Sequence, residues 1–255
     1  MIREKKKVVL ISVLSIYLIF IFVPLLSATE YTFKTSVKGK YSLENYQWVL
    51  NQPEFIHYVL RSTWLSALSV LISIALLLPL QTWLHISQSR WRPVVETISL
   101  MPLIIPVVAF AIGAQVAMPL RIQDSVLELP FLYSMLSLPY VYRAIDIGLS
   151  TKPIKTWYES ARVLGAHSGK SLLRAVFPGI KASILASAAL GFALCIGEFT
   201  LTSLLHWDTF PTWINDVSQG NVLGAITLSI VSLVVPVSTL TIFAFVLTRR
   251  RKEQL

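Results

Sequence analysis

Residues 165–171 read Gly-Ala-His-Ser-Gly-Lys-Ser, which nearly matches the glycine-rich loop that binds nucleotide phosphates. That loop requires another glycine at position 164, where this chain has Leu164. It also requires a strand before the loop, because the phosphate is held at a strand-to-helix turn. No strand is predicted there. We therefore predict that this segment does not bind a nucleotide.

Other catalytic chemistry finds no support in the residue pattern. An intramembrane serine protease needs a nucleophile and a base at facing positions within the bilayer. The four histidines lie near the ends of apolar segments or in loops: His57, His85, His167 and His206. Their wide spacing also gives no metal-ligand cluster. We predict no catalytic residue, no metal site and no cofactor, and we interpret the lone Cys195 as a packed core thiol.

Three charged residues in apolar segments remain as candidates for function. Glu198, preceded by Gly197, lies about 15 residues into its segment, so roughly 22 Å along a helix at ~1.5 Å per residue. A charge inside the bilayer costs a few kcal/mol and usually faces a cavity or a partner. We expect Glu198 to line a pathway or its gate, or else to form a structural pair. Arg143 and Asp146 are expected to form an ion pair within one helix.

The composition places these residues in a membrane protein. Among 255 residues, 55% are hydrophobic and only 14% are charged, where a soluble domain carries about 25% charge. A helix needs about 20 apolar residues to cross a bilayer. Continuous runs without strand alternation predict an all-α integral membrane protein with six transmembrane helices, at about 8–29, 60–85, 95–119, 126–149, 182–205 and 221–248. Pro102 and Pro106 predict kinks in the third span.

The basic residues predict the orientation. Sixteen of the 22 Lys and Arg residues fall before the first span, after the last, or in the loops at 90–92 and 150–181. By the positive-inside rule these regions are cytoplasmic, and so are both termini. The net charge of +9 therefore indicates membrane topology, and nucleic acid is not expected as a partner. The first span is too long for a signal peptide, so we expect an uncleaved anchor.

The segment 150–181 is polar and basic, although it separates two apolar spans. Thr156 and Glu159 have the spacing of a capping box, and Gly165 suits a left-handed helix end. His167 or Ser168 is placed to cap a second helix, which Pro178 ends. The sequence thus predicts two short helices, which we call the knob, Thr156–Pro178. Its apolar side is expected to comprise Trp157, Ala161, Leu164, Leu172, Ala175 and Val176.

The knob resembles the EAA motif of ABC importer permeases, which reads Glu-Ala-Ala, three residues, Gly, nine residues, Ile-x-Leu-Pro. Glu159, Ala161, Gly165 and Pro178 match at the right spacing, while Ser160, Ala175 and Phe177 depart conservatively. Three further segments resemble their counterparts in this family. They are Leu43-Glu44-Asn45-Tyr46 in the predicted external segment, Leu138-Pro139-Tyr140 in the fourth span and Gly197-Glu198 in the fifth span. Within the family, the chain is similar to permeases for polyamines, iron(III), thiamine and phosphonates.

The resemblance implies a MetI-like type I ABC importer permease, formed by one transmembrane domain over residues 1–255 in the bacterial cytoplasmic membrane. It implies that two cytoplasmic ATPase subunits dock on the coupling loop 150–181, a second permease pairs with the chain, and an external solute-binding protein delivers substrate. The implied ATPase-coupling residues are Glu159, Ser160, Ala161, Gly165, Phe177 and Pro178. The alternative is an ion-coupled secondary transporter, which predicts inverted repeats and several buried charges. No repeat is visible in the sequence.

Overall fold

The computed structural model describes residues 2–35, 40–123 and 125–252. Within these ranges the chain forms helices, with one isolated bridge between Lys34 and Tyr41. The helices are α1 (Ile2–Thr32), α2 (Glu44–Leu50), α3 (Pro53–Ile86), α4 (Arg92–Leu100), α5 (Val107–Ala117), α6 (Glu128–Ser150), α7 (Ile154–Val163), α8 (Ser168–Ser171), α9 (Phe177–Ile196), α10 (Thr200–Leu204), α11 (Phe210–Gly220) and α12 (Val222–Lys252). The all-helical prediction is confirmed for the described residues.

Three helical segments of the described chain are long and apolar enough to cross a membrane: Leu10–Thr32, Pro53–Ile86 and Ser168–Leu204. A fourth crossing follows if two bent helices count as one broken span. The first segment buries none of its apolar window within the chain, which suits a surface covered by lipid. The fourth and sixth predicted spans correspond to α6 and α12, whose bounds lie within four residues of the predicted ones.

The third predicted span is broken rather than kinked. A helical stretch over Arg92–Leu103 meets α5 at an angle of 106°. Pro106 precedes α5 in an extended conformation, with φ −58° and ψ 134°. A proline disfavours the helical conformation in the residue before it and removes one backbone donor. Pro106, with its own backbone extended, therefore marks a sharp turn in the middle of this apolar segment.

The contacts divide the chain into two compact units, residues 1–56 with 213–234, and residues 57–212 with 235–255. In the first unit, α2 is fixed to the end of α1. The Asn45 amide donates to the carbonyl oxygens of Thr32 and Lys34, both at 2.9 Å. The hydroxyls of Tyr46 and Thr32 lie 2.8 Å apart. These bonds give the segment Leu43-Glu44-Asn45-Tyr46 a defined position after the first helix.

In the second unit, small side chains allow long helices to approach closely. A row of buried serines runs along α3, comprising Ser62, Ser66, Ser69 and Ser73. The Ser73 hydroxyl lies 3.3 Å from the Ser134 carbonyl oxygen of α6. Where α6 crosses α9, a Cβ on Gly148 would lie 2.3 Å from the Ser183 hydroxyl. Small residues of this kind let membrane helices pack backbone to backbone.

Candidate functional site

The first helix of the knob ends at Gly165 in the geometry that the sequence predicts. Gly165 has φ +85°, the left-handed conformation that favours glycine. Its N–H donates to Arg162 O and the N–H of Ala166 donates to Ala161 O, both at 3.0 Å. This pair of hydrogen bonds is the Schellman motif, which satisfies carbonyls at a helix C-terminus. The turn is thus held by the backbone itself.

The predicted capping box at the start of this helix is wrong. α7 begins at Ile154 after Pro153, so Thr156 already lies in the first turn, and no side chain caps the helix. Ile154 is buried in the core, which fixes the first turn two residues earlier than the polar pattern suggests. The Glu159 carboxylate is exposed and lies 3.9 Å from the Lys155 ammonium, one turn back. It is therefore available to a partner.

The second helix of the knob continues into α9, which corrects the prediction that Pro178 ends it. The His167 ring caps α8 by accepting the N–H of Lys170 at 3.3 Å. A π-helical turn over Leu172–Val176 then leads directly into α9, in which Pro178 is the second residue. Proline is tolerated in the first turn of a helix because its missing N–H needs no partner there. The chain is consequently helical from the knob to Ile196.

The apolar residues of the knob serve two different surfaces. Trp157, Leu172 and Phe177 pack against a buried core that contains Val176. A Cβ on Gly179 would lie 2.2 Å from the Trp157 ring, so the ring sits directly on the α9 backbone. Sequence analysis missed this glycine, since nothing in its local sequence shows which ring it faces.

The other surface is the tip of the knob. Val163 and Leu164 are 87% and 86% exposed, although both are large and apolar. Leu164 therefore does not join the packed side, as the sequence analysis expected. Exposed apolar side chains grouped at one turn commonly mark a protein interaction site. The six coupling residues implied by the resemblance differ in exposure. Two are half-buried, Ala161 and Phe177, and the others are exposed, namely Glu159, Ser160, Gly165 and Pro178.

The predicted ion pair between Arg143 and Asp146 is wrong. Arg143 contacts Glu96 of α4 at 2.9 Å, and Asp146 contacts His85 at 2.8 Å and Arg92 at 3.0 Å. The side chain of Asp146 is only 12% exposed, so it lies between the helices rather than along the surface of its own. Partners from α3 and α4 thus replace the local pair. The partners of Asp146 are 54 and 61 residues away in the sequence, so no local pattern indicates them.

The chain departs from a continuous helix at Gly197 and Glu198. α9 ends at Ile196 and α10 begins at Thr200, so Glu198 lies at a break inside the candidate span Ser168–Leu204. One of its carboxylate oxygens accepts the N–H of Leu201 at 2.9 Å. Cys195, one turn earlier, is buried as predicted, and its thiol lies 3.7 Å from the Tyr133 carbonyl oxygen.

A cavity of about 300 Å³ opens beside this break. Its lining residues include Glu198, Tyr133, Ser137 and Tyr140, which carry polar groups. Pro102, from the broken third span, lines it too. Two helix breaks therefore meet at one cavity. Irregular backbone at membrane depth is tolerated where it lines a cavity or is buried in protein.

A buried carboxylate lies in the fourth predicted span, and the sequence indicated its presence there but no role for it. Glu128 is 1% exposed at the start of α6, and the indole N–H of Trp207 donates to it. The guanidinium of Arg61 lies 5.9 Å from the same indole ring. A buried carboxylate that is hydrogen-bonded in this way fixes the segment after α10 against α6.

These features define a helical membrane protein in which a two-helix projection interrupts a pair of long helices. The chain belongs to the family of binding-protein-dependent transport system inner membrane components, whose family model matches residues 67–252. The matched region contains the knob and the cavity beside Glu198. The family consists of transport components and not enzymes, as the sequence analysis expected.

One curated relative is named as a probable molybdenum ABC transporter permease protein and comes from Haloferax volcanii. It is 27% identical over 168 residues, which are 61% of this chain. The alignment spans 62% of the relative's own length.

Proposed function

We propose that this chain is the permease subunit of an ATP-driven ABC importer and forms the solute pathway across the membrane. In this proposal the chain crosses a bacterial cytoplasmic membrane six times, and both termini are cytoplasmic. The six spans are α1, α3, the broken pair α4 and α5, α6, α9 with α10, and α12. Family membership and the apolar helices support this assignment.

The observation that carries the proposal is that the knob has an exposed apolar tip and a packed base. Its tip presents Val163 and Leu164 to solvent, while its base is packed through Trp157 and Val176. Its second helix runs into α9 without a loop. A projection that is exposed at its tip and rigid at its base suits the transmission of rigid-body motion.

The proposed partners follow from that surface. Two ATPase subunits dock on the knobs of two permeases, which pair as a homodimer or heterodimer around a shared pathway. The Glu159 carboxylate is exposed, and its ion pair with Lys155 is long at 3.9 Å. We propose that it contacts a cationic side chain of the ATPase. An external solute-binding protein delivers substrate to the opposite face, and closure of the ATPases opens the pathway outward.

Within the membrane, Glu198 and Gly197 are proposed to line the pathway or its gate. The cavity beside Glu198 and the two helix breaks that meet there support this role. A break of this kind lets the two halves of one span change their angle to each other. Secondary transporters also use discontinuous helices, so reconstitution with and without the ATPase separates the two mechanisms.

For the substrate we propose a small polar solute. Polyamines, iron(III), thiamine and phosphonates come from the sequence resemblance, and the name of the Haloferax relative adds molybdenum. Uptake of each radiolabelled solute, with molybdate among them, by vesicles that contain the complete transporter tests this group directly.

The coupling proposal is tested by co-purification of the ATPase with variants of the knob. Gly165→Asp and Glu159→Lys are expected to reduce the ATPase recovered with the permease while the permease still inserts into the membrane. Gly220→Asp is the matched control, because a Cβ at either glycine has open space around it. Normal ATPase recovery with both knob variants would refute the proposed docking site.

A further inference from the structure

A second cavity, of about 760 Å³, lies at the foot of the knob. Its walls come from the turn between α3 and α4 and from the turn between α6 and α7. Four basic side chains line it, namely Arg90, Arg92, Lys152 and Lys155, and no acidic residue is among its lining residues in the described chain. The Lys and Arg residues thus give this cavity a positive charge.

Two of the four cations already have partners. One terminal nitrogen of Arg92 donates to both oxygens of Asp146, at 3.0 and 3.2 Å, and to the Ser150 hydroxyl at 2.9 Å. Lys155 lies 3.9 Å from Glu159 and 3.5 Å from the Gln88 amide oxygen.

The other two cations, Arg90 and Lys152, are exposed and form no ion pair or side-chain hydrogen bond within the described residues. Arg90 belongs to the turn between α3 and α4, and Lys152 belongs to the turn between α6 and α7. Two cations that line one cavity without an acidic partner of their own among the residues described create a positive potential there. The hydroxyls of Ser89 and Ser150 supply further donors in the same lining.

We propose that this cavity binds a phosphate-bearing anion. Arg90 and Lys152 neutralise the phosphate, since guanidinium and ammonium groups are the usual partners of phosphate oxygens. The anion has two possible sources, the headgroup of an anionic lipid in the adjacent leaflet or phosphate in solution. In either case it touches Pro153 and Ile154, where α7 begins. Its binding therefore ties the α3–α4 turn to the base of the knob.

The lipid source is tested with the full-length chain in nanodiscs of equal parts phosphatidylglycerol and phosphatidylcholine, with retained lipids counted by native mass spectrometry. Wild type is expected to retain phosphatidylglycerol preferentially, and Arg90→Gln with Lys152→Gln to lose that preference by roughly tenfold. The control double variant, Lys170→Gln with Arg174→Gln, removes the same charge from outside the cavity and is expected to match wild type. Arg90→Lys with Lys152→Arg is expected to keep the preference.

The soluble source is tested in phosphatidylcholine nanodiscs by ³¹P line broadening of inorganic phosphate. Broadening that Arg90→Gln with Lys152→Gln removes, without any preference for phosphatidylglycerol, supports the cavity and assigns its ligand to solution. The proposal is overturned if the cavity variant, Arg90→Gln with Lys152→Gln, and the control variant, Lys170→Gln with Arg174→Gln, lose phosphatidylglycerol equally. It is also overturned if wild type shows neither lipid preference nor phosphate broadening. None of these outcomes depends on transport, so they are separate from the test of the proposed function.

Discussion

The ring of Trp157 lies against Gly179 so closely that a Cβ on this glycine would fall 2.2 Å from the ring. Trp157 belongs to α7 and Gly179 to α9, so the contact joins the first helix of the knob to a candidate membrane span. Under the proposed function, motion applied to the knob would reach α9 through this contact as well as through the backbone.

Gly179→Ala is therefore expected to displace the Trp157 ring and weaken coupling. Alanine at this helical site gains up to about 1 kcal/mol of helix propensity, which offsets part of the cost of displacing the ring. ATPase binding should persist while solute uptake per ATP hydrolysed falls, as measured in proteoliposomes.

Trp157→Leu in the Gly179→Ala background should restore part of the uptake, because a smaller side chain relieves the clash. Gly220→Ala is the matched control, since open space surrounds that position. Equal coupling in Gly179→Ala and Gly220→Ala would show that the contact transmits nothing.

The left-handed turn at Gly165 gives a second prediction. An L-residue other than glycine costs roughly 1–2 kcal/mol in this conformation, and asparagine tolerates it best. Gly165→Ala and Gly165→Val should both reduce recovery of the ATPase on the permease, with Gly165→Asn closer to wild type. If all three variants recover equal amounts of ATPase, the turn does not determine docking.

The ion pairs of Asp146 give a third prediction. Asp146→Asn weakens its contacts with Arg92 and His85 and should destabilise the chain by about 1–3 kcal/mol. A double-mutant cycle with Arg92→Gln should show coupling, whereas a cycle with Arg143→Gln should be additive within about 0.5 kcal/mol. SDS-induced unfolding followed by tryptophan fluorescence measures both cycles. A coupling energy between Asp146 and Arg143, with none between Asp146 and Arg92, would contradict this prediction and support the local ion pair.

Glu198 gives a fourth prediction, which separates its two roles. Glu198→Gln keeps an oxygen that accepts the Leu201 N–H, whereas Glu198→Ala loses it at a cost of about 1 kcal/mol. If the carboxylate acts in the pathway, uptake falls in both variants while thermal stability falls only in Glu198→Ala. Unchanged uptake in Glu198→Gln would remove this carboxylate from the pathway.

Local sequence signals predicted local structure well. The glycine at 165 is the residue that the left-handed turn requires, and His167 is the cap of the following turn. The apolar runs also gave the helix bounds to within a few residues for α6 and α12. Each of these features depends on neighbours in sequence.

Features that depend on distant residues were missed or wrong. Asp146 was assigned to Arg143, three residues away, because its partners His85 and Arg92 lie on other helices. The continuation of the knob through Pro178 depends on a π-helical turn, which resets where the first turn of α9 begins. In both cases tertiary packing overrides the local rule.

The most direct test of the account is cysteine cross-linking from the tip of the knob. Cys195→Ser removes the one cysteine of the chain, and Leu164→Cys then places a thiol at an 86% exposed site. Leu120→Cys, at an 88% exposed site in a loop predicted to face outward, is the control. We predict a cross-link to the ATPase subunit from position 164 and none from position 120. Labelling of position 164 by a membrane-impermeant maleimide added outside intact cells, with no cross-link to the ATPase, would contradict the account.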